Sequence, residues 1–332
     1  KNIQNKYLIK KKDITVVVQG PYFKYITEKV LNNIYKKFKD SELIFSTYKG
    51  EKIKKKYKKK FKIIYNKVPP KTPNSLKPLM YYNYFGHVRT SLNGIKKSSK
   101  NYVLKTRSDV VFNNLNFLEF FNKFNFFNKN FKILKKRVII SSHYTIDTRK
   151  YPLPFHFSDW FFFGLKSDLK KIFNQKYMSK ENKKVPLWFL KKEKPKFFFN
   201  QYMCKFRAEQ NLMINFLKKF MNIDLKHGYD HNIKNVILTE KILANNFIVL
   251  NPNIISYNCL RHQNFTDNQD LIYFNELITF KKWQKIYQKY CNNKFKTKNS
   301  SILEMFKTSI WVLQNLKQAV YRIMQYRKYN VF

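Results

Sequence analysis

Tyr102-Val103-Leu104-Lys105-Thr106-Arg107-Ser108-Asp109 is the stretch on which the fold turns. Tyr102, Val103 and Leu104 are apolar and favour extended backbone, which predicts a buried strand. The polar residues that close it place Asp109 where the strand emerges. Ligands of open α/β sheets bind at that carboxyl edge. Residues two apart share one side of an extended chain, so Arg107 falls on the same side as Asp109. A carboxylate there can hold a divalent cation against a diphosphate, and the arginine can contact phosphate directly. The same two residues also suit an ordinary strand end on a surface loop, and the tripeptide alone does not choose between these readings.

Working outward, Asp13 to Val18 is a β-branched run that stops at Gln19-Gly20-Pro21, a strand followed by a breaker. Thr27 to Phe38 carries Val30, Leu31, Ile34, Tyr35 and Phe38 at helical spacing. Glu42 to Thr47 and Phe61 to Tyr65 read as further strands around a lysine run from Lys52 to Lys60. Strand, helix and strand in succession predict a right-handed parallel unit. After a Pro-rich loop, the pattern predicts a helix over Leu79 to Lys97 and strands at Val138 to Ser142 and Trp160 to Phe163. A helix begins at Glu209, and late strands are expected at Asn246 to Leu250 and Ile254 to Tyr257. Residues 170–205 read as a basic, aromatic and irregular insertion. No internal repeat is present.

The composition supports a folded protein. Apolar residues make up 44% of the 332 and aromatics 18%, enough for a sizeable core. The net charge of +47 invites a nucleic-acid reading, but only eight of the 67 basic residues are Arg. Abundant Lys, Asn, Ile, Phe and Tyr beside only 6 Gly fits AT-rich coding better than a dedicated polyanion groove. Such a surface still attracts anionic lipids, phosphorylated glycans and nucleotides. The three cysteines are far apart with no CxxC pair, as in a reduced, cytosolic protein. The first residues lack a signal-peptide core, and no apolar run approaches the ~20 residues of a membrane span. The expectation is a cytoplasmic protein, soluble or peripheral on the inner face of a membrane. The stretch 301–327 predicts an amphipathic helix that either docks on the core or lies on an anionic bilayer.

Two more islands carry chemistry. Ser158-Asp159-Trp160-Phe161-Phe162-Phe163-Gly164 sets a polar pair against four aromatics and ends in Gly. Asp159 can bind a sugar hydroxyl or simply cap a turn, and Gly164 permits close approach of backbone to ligand. Ala208-Glu209-Gln210 opens an amphipathic helix. Glu209 complements the helix dipole, and if the helix start faces a pocket it can take a proton from a hydroxyl. His262 follows the late strands as a metal or phosphate ligand or a structural histidine. The other histidines show no HExxH spacing, and there is no GxSxG, P-loop or GxGxxG.

Together the islands resemble the WavE-type lipopolysaccharide-synthesis family of glycosyltransferases. The likeness runs over about residues 13 to 265, through Val16-Val17-Val18-Gln19-Gly20-Pro21, Ser41 to Gly50, Tyr102 to Asp109, Ser158 to Gly164 and Ala208-Glu209-Gln210. It implies a GT-A-like, Rossmann-type α/β fold with a mixed, mainly parallel sheet flanked by helices. Residues 1–265 would form the catalytic domain and 266–332 a C-terminal helical extension. By the same resemblance Gln19, Gly20 and Pro21 border a nucleotide base and Thr47 lies near the base or ribose. Arg107 and Asp109 meet the diphosphate, and Gly164 lies in the acceptor loop. Glu209 or Asp159 is the catalytic acid or base, and Asp109 with His262 holds Mn2+ or Mg2+. Two departures stand out: Arg107 replaces the first Asp of an Asp-x-Asp, and Gln210 stands where inverting relatives place a catalytic Asp.

The expected activity is transfer of a sugar from a nucleotide-sugar donor to a glycan or glycolipid acceptor of lipopolysaccharide or capsule type, with no specific nucleic-acid partner. Two rivals remain, a basic nucleic-acid-binding protein and a sugar nucleotidyltransferase. The second needs a Gly-rich basic loop after the first strand, of which Gln19-Gly20-Pro21-Tyr22 is a poor version.

Overall fold

The structure is a computed structural model that describes residues 9–68, 79–151, 153–175, 206–226, 228, 230, 232–261, 276–297, 313 and 316. In chain order it runs β1 (Ile14–Gln19), α1 (Lys24–Lys37), β2 (Glu42–Tyr48), α2 (Lys55–Lys58), β3 (Lys62–Asn66) and α3 (Leu79–Lys97). Then come β4 (Tyr102–Arg107), β5 (Val110–Phe112), β6 (Val138–Ser141), β7 (Phe161–Leu165) and α4 (Lys166–Phe173). It continues with α5 (Ala208–Leu217), α6 (Ile233–Asn246), β8 (Phe247–Leu250), α7 (Pro252–Ile255), β9 (Tyr257–Cys259) and α8 (Phe280–Tyr290).

Seven strands form one sheet in the order β3-β2-β1-β4-β7-β6-β8. Every strand points the same way except β7, which runs antiparallel to both β4 and β6. The expected α/β architecture with a mixed, mainly parallel sheet is the one found. A parallel sheet is covered on both faces, so its strands read as unbroken apolar runs. β1 is buried along its whole length for that reason. On one face α3 lies so close that a Cβ on Gly94 would meet Val17 at 2.3 Å. On the other, Phe38 at the end of α1 packs against Phe112 of β5, with ring centroids 6.1 Å apart.

The aromatic run of β7 divides by strand alternation. Phe161 and Phe163 meet Phe117 at 5.0 and 5.4 Å, while Phe162 turns to the opposite face against Phe173 of α4 at 5.1 Å. α8 adds Trp283 and Tyr287 to the same core, against Phe124.

Some expectations need correction. Ile254 to Tyr257 is not a strand. Pro252 starts the short helix α7, because its fixed φ suits a first turn, and Ser256 ends it in the left-handed region at φ 61°. Only Tyr257–Cys259 is extended, and it pairs with β5 rather than with the large sheet. The stretch expected to be irregular from Lys170 opens inside α4, whose Leu169, Ile172 and Phe173 are buried. Residues 176–205 of that stretch lie outside the described residues. So do the proposed boundary at 265 and, apart from Leu313 and Leu316, the 301–327 helix. Among the described residues no helix is long and apolar enough to cross a membrane.

Candidate active site at the carboxyl rim of the sheet

Register decides what meets at the rim. In the parallel core Gln19 stands beside Ser46 on one side and Arg107 on the other. The strands therefore release the Gln19-Gly20-Pro21 turn and the Arg107-Ser108-Asp109 turn side by side. Because β7 is antiparallel, it begins where β4 ends, with Phe161 opposite Thr106. Asp159 and Trp160 thus enter at the edge where Arg107 leaves. Three islands distant in sequence share one rim.

The two turns are joined by hydrogen bonds. Ser108 N–H donates to the Gln19 carbonyl at 2.9 Å and Ser108 Oγ to the Pro21 carbonyl at 2.8 Å. Gly20 sits at φ 126°, and a Cβ there would meet Ser108 Oγ at 2.8 Å. Only glycine combines that backbone with so close a neighbour. Thr90 of α3 donates to Gln19 Oε1 at 2.8 Å and fixes that amide beneath the turn. Thr47 is fully buried one residue short of the end of β2, opposite Tyr65.

Strand alternation sends Lys105 and Arg107 to the α3 face. Arg107 clamps Asp109 with two parallel hydrogen bonds, Nε to Oδ1 at 2.9 Å and Nη2 to Oδ2 at 2.7 Å. Its guanidinium lies 4.3 Å from the Trp160 ring centroid. Burial alone would lower the arginine's pKa, but the Asp109 carboxylate more than offsets it and the net direction is up. Lys105 is wholly buried, with Nζ 2.6 Å from His87 Nε2 and donating to the Asp159 main-chain carbonyl. His87 Nδ1 lies 3.6 Å from Asp159 Oδ2.

Glu209 occupies the first turn of α5, where it faces His156 Nε2 at 3.4 Å. His156 Nδ1 donates to the Tyr144 carbonyl at 2.8 Å, which turns the other ring nitrogen to Glu209. Tyr144 and Phe155 both hold positive φ, 63° and 57°. Bulky residues avoid that region at a cost of about 1–3 kcal/mol each. The two strained positions are the residue whose carbonyl accepts from His156 and the neighbour of His156 itself.

The acids differ in electrostatics. Burial raises the Asp159 pKa, and the Glu209 carboxylate pushes it further up against the pull of Lys105 and Arg107. Burial also works to raise Glu209, but the charge and hydrogen bond of His156 prevail and hold it down at about 2. Burial lowers Lys105 to about 7, and burial with two cationic neighbours lowers His87 well below the ordinary histidine value. One acid is thus kept ionised while its neighbour is moved toward neutrality, the pattern that separates acid–base roles. The side chains of both remain partly accessible, 17% for Asp159 and 20% for Glu209.

Asp109, Asp159 and Glu209 therefore gather at one rim with Arg107, Gln19, Gly20 and Pro21. Gly164 does not. It sits within β7 opposite Val103, away from the rim, and a Cβ there would meet Val138 Cγ2 at 2.8 Å. Its missing side chain admits Val138. Gln210 is fully buried, donating to the Pro154 and Gly228 carbonyls and accepting from Arg207 N–H, which ties the helix start to two loops. His262 lies outside the described residues.

The divalent cation implied at Asp109 fits this donor set poorly. Both Asp109 oxygens are engaged by Arg107, the nearest charges are cationic, and among the described residues no three His, Cys, Asp or Glu side chains converge on one point. Sequence reasoning missed Lys105, His87 and His156. A lysine inside an apolar strand was the one available signal, because such a side chain must find partners in the core.

A search of curated proteins finds no match. Among solved structures, the galactosyltransferase LgtC with donor and acceptor sugar analogues aligns at 10% identity and TM-score 0.33, over 61% of this chain and 70% of that one. A glycosyltransferase that acts in glycosylation of the major capsid of PBCV-1 aligns at 15% and 0.25, over 62% and 75%. The inositol-1-phosphate CTP transferase from T. maritima aligns at 9% and 0.29, over 70% and 96%. A family profile described as WavE lipopolysaccharide synthesis matches residues 14–319, nearly the whole chain. The protein belongs to the WavE lipopolysaccharide synthesis family.

Proposed function

We propose that this chain is a glycosyltransferase that moves a sugar from a nucleoside-diphosphate donor to a hydroxyl of a surface-glycan acceptor. The observation that carries the reading is the convergence of two partly accessible acids, Asp159 and Glu209, at the carboxyl rim beside Arg107. In the reaction the acceptor hydroxyl gives its proton to Asp159 and its oxygen bonds to the anomeric carbon. The bond from that carbon to the diphosphate breaks, and the leaving charge stays on the nucleotide. Asp159 is the better base, since a raised pKa lies nearer the working pH than that of Glu209. Glu209 remains ionised, suited to accept a hydrogen bond from a sugar hydroxyl.

Arg107 meets the diphosphate. Asp109 braces it from behind with two bonds, and a planar guanidinium suits phosphate geometry. The Gln19-Gly20-Pro21 turn lines the side for the base and ribose, with Thr47 buried in the neighbouring strand. The arrangement meets the leaving group with the fixed guanidinium of Arg107, so it predicts turnover within about twofold of the untreated enzyme in the presence of a chelator. Strong inhibition by EDTA, reversed by manganese, would reject that assignment.

The first test is a thermal-shift panel of UDP, GDP and CMP, followed by nucleotide release from the matching sugar nucleotides. Saturable stabilisation by one nucleotide is expected. Asp159→Asn is expected to cut turnover by about 100-fold or more, the range for a lost general base. Full turnover in Asp159→Asn removes the base assignment. The rate should also fall as pH drops through the raised Asp159 pKa, because only the ionised carboxylate takes a proton.

A further inference from the structure

Two groups have no part in that reaction, the wholly buried Lys105 and the His87 side chain, 11% exposed. Lys105 sits in mid-strand where a methionine or leucine fills similar space, and a buried ammonium is retained only with partners. Its contacts converge on one residue. Nζ donates to the main-chain carbonyl of Asp159 and lies 2.6 Å from His87 Nε2. The far side of that imidazole, Nδ1, is 3.6 Å from the Asp159 carboxylate. Lys105 therefore reaches Asp159 twice, directly at its backbone and through His87 at its side chain.

The chemistry of the two groups sets a direction. An ammonium has donors only, so His87 Nε2 must accept and the imidazole proton must sit on Nδ1, toward Asp159. We propose that His87 and Lys105 are positioning residues of this site, Lys105 fixing the Nδ1–H tautomer of His87 so that the imidazole N–H orients the Asp159 carboxylate. The inference rests on Asp159 acting at the site as proposed above. At 3.6 Å the last contact is longer than a full hydrogen bond, and catalytic contacts in ligand-free enzymes commonly tighten when substrate binds.

The charges around Lys105 are few. His87 faces it from α3, Asp159 from the segment before β7, and Arg107 and Asp109 from the end of its own strand. Among the described residues, the other elements against it present the rings of Phe162 at 5.5 Å and Phe173 at 5.7 Å. Burial, aided by Arg107, lowers the ammonium to about 7 while the two carboxylates oppose the fall. The hold on His87 is thus complete below that pH and relaxes above it. A neutral amine accepts as well as donates, and the tautomer is no longer dictated.

The test reads the tautomer itself. In the full chain labelled with 15N-histidine, the His87 ring signals are assigned by their loss in His87→Asn. The Nδ1–H form is expected below the Lys105 pKa, with a shift toward the Nε2–H form in Lys105→Met. An Nε2–H tautomer in the unaltered chain, or no change in Lys105→Met, overturns the proposal. A second readout is nucleotide release from UDP-, GDP- and CMP-sugars. His87→Phe and Lys105→Met should lower kcat by about 10–100-fold with donor KM little changed, as for other residues that orient a reacting group. His87→Asn, whose amide N–H takes the place of Nδ1–H, should recover most of it. Lys105→Met should also lose the basic limb of the pH profile. Asp159→Asn separates the failures: full turnover there refutes the base, whereas an inactive Asp159→Asn beside wild-type rates in His87→Phe and Lys105→Met refutes positioning alone.

Discussion

Lys105 stands where a covered strand ordinarily carries a β-branched or aromatic side chain. Its folded pKa, about 7, lies below the ~10.4 of an unfolded lysine. Between those values the unfolded chain binds the extra proton, so stability rises with pH across that window. The penalty of the buried charge is fully present below about 7 and gone above the unfolded value. Denaturant titrations of the native protein and Lys105→Met should therefore diverge with pH. The native protein gains on the variant as pH rises from neutral toward 10, and a constant difference would refute the buried-ammonium account. Glu209 gives a slope of the same sign in the acid range, there because the fold favours the charged form. Its depressed pKa contributes stability above the ordinary carboxylate range, lost as pH falls toward about 2. Glu209→Gln should erase that acid-side loss while leaving the alkaline slope untouched.

Among the elements, β7 is the strand whose direction assembles the site. Were it parallel to β4, Asp159 would enter at the opposite edge, far from Arg107. Its aromatic content, readable at once as a buried strand, says nothing about polarity, since both directions bury the same rings. Gly164 belongs to this element and not to the ligand. Gly164→Ala should destabilise by about 1–3 kcal/mol, the usual cost of overpacking. Val138→Ala should recover much of that loss, since a Cβ at 164 would meet Val138 Cγ2. Nucleotide binding should be unchanged in both variants. A lost nucleotide shift in Gly164→Ala with undiminished stability would return the glycine to the site. Gly20→Ala is the contrasting case: at φ 126° against Ser108 it should weaken the fold and the nucleotide response together.

For the whole molecule, the charge of +47 is a long-range property. Attraction of polyanions to such a surface falls steeply with salt, as counterion release requires. On the proposed function, a nucleoside diphosphate held at the rim by Arg107 would behave differently, because a partly buried pair is screened less. Binding of single-stranded DNA should therefore drop by orders of magnitude between low and moderate salt, while the thermal shift from the preferred nucleotide persists. DNA binding that survives salt and competes with the nucleotide would favour the nucleic-acid reading.

The strands β1, β2, β3 and β4, the long helix α3 and the start of α5 were legible as runs of apolar spacing ended by breakers. The three acidic islands were legible as polar residues abutting such runs. These are local signals, carried by side-chain chemistry along a short segment. Register and strand direction are not local. Only the tertiary structure brought Asp159 beside Arg107 and turned Lys105 and His87 toward Asp159. It also spent Asp109 on Arg107, moved Gly164 away from the rim, and made Pro252 to Ile255 a helix. Those outcomes follow from which strands pair and which face each residue takes, energies that arise between segments and leave no mark within one.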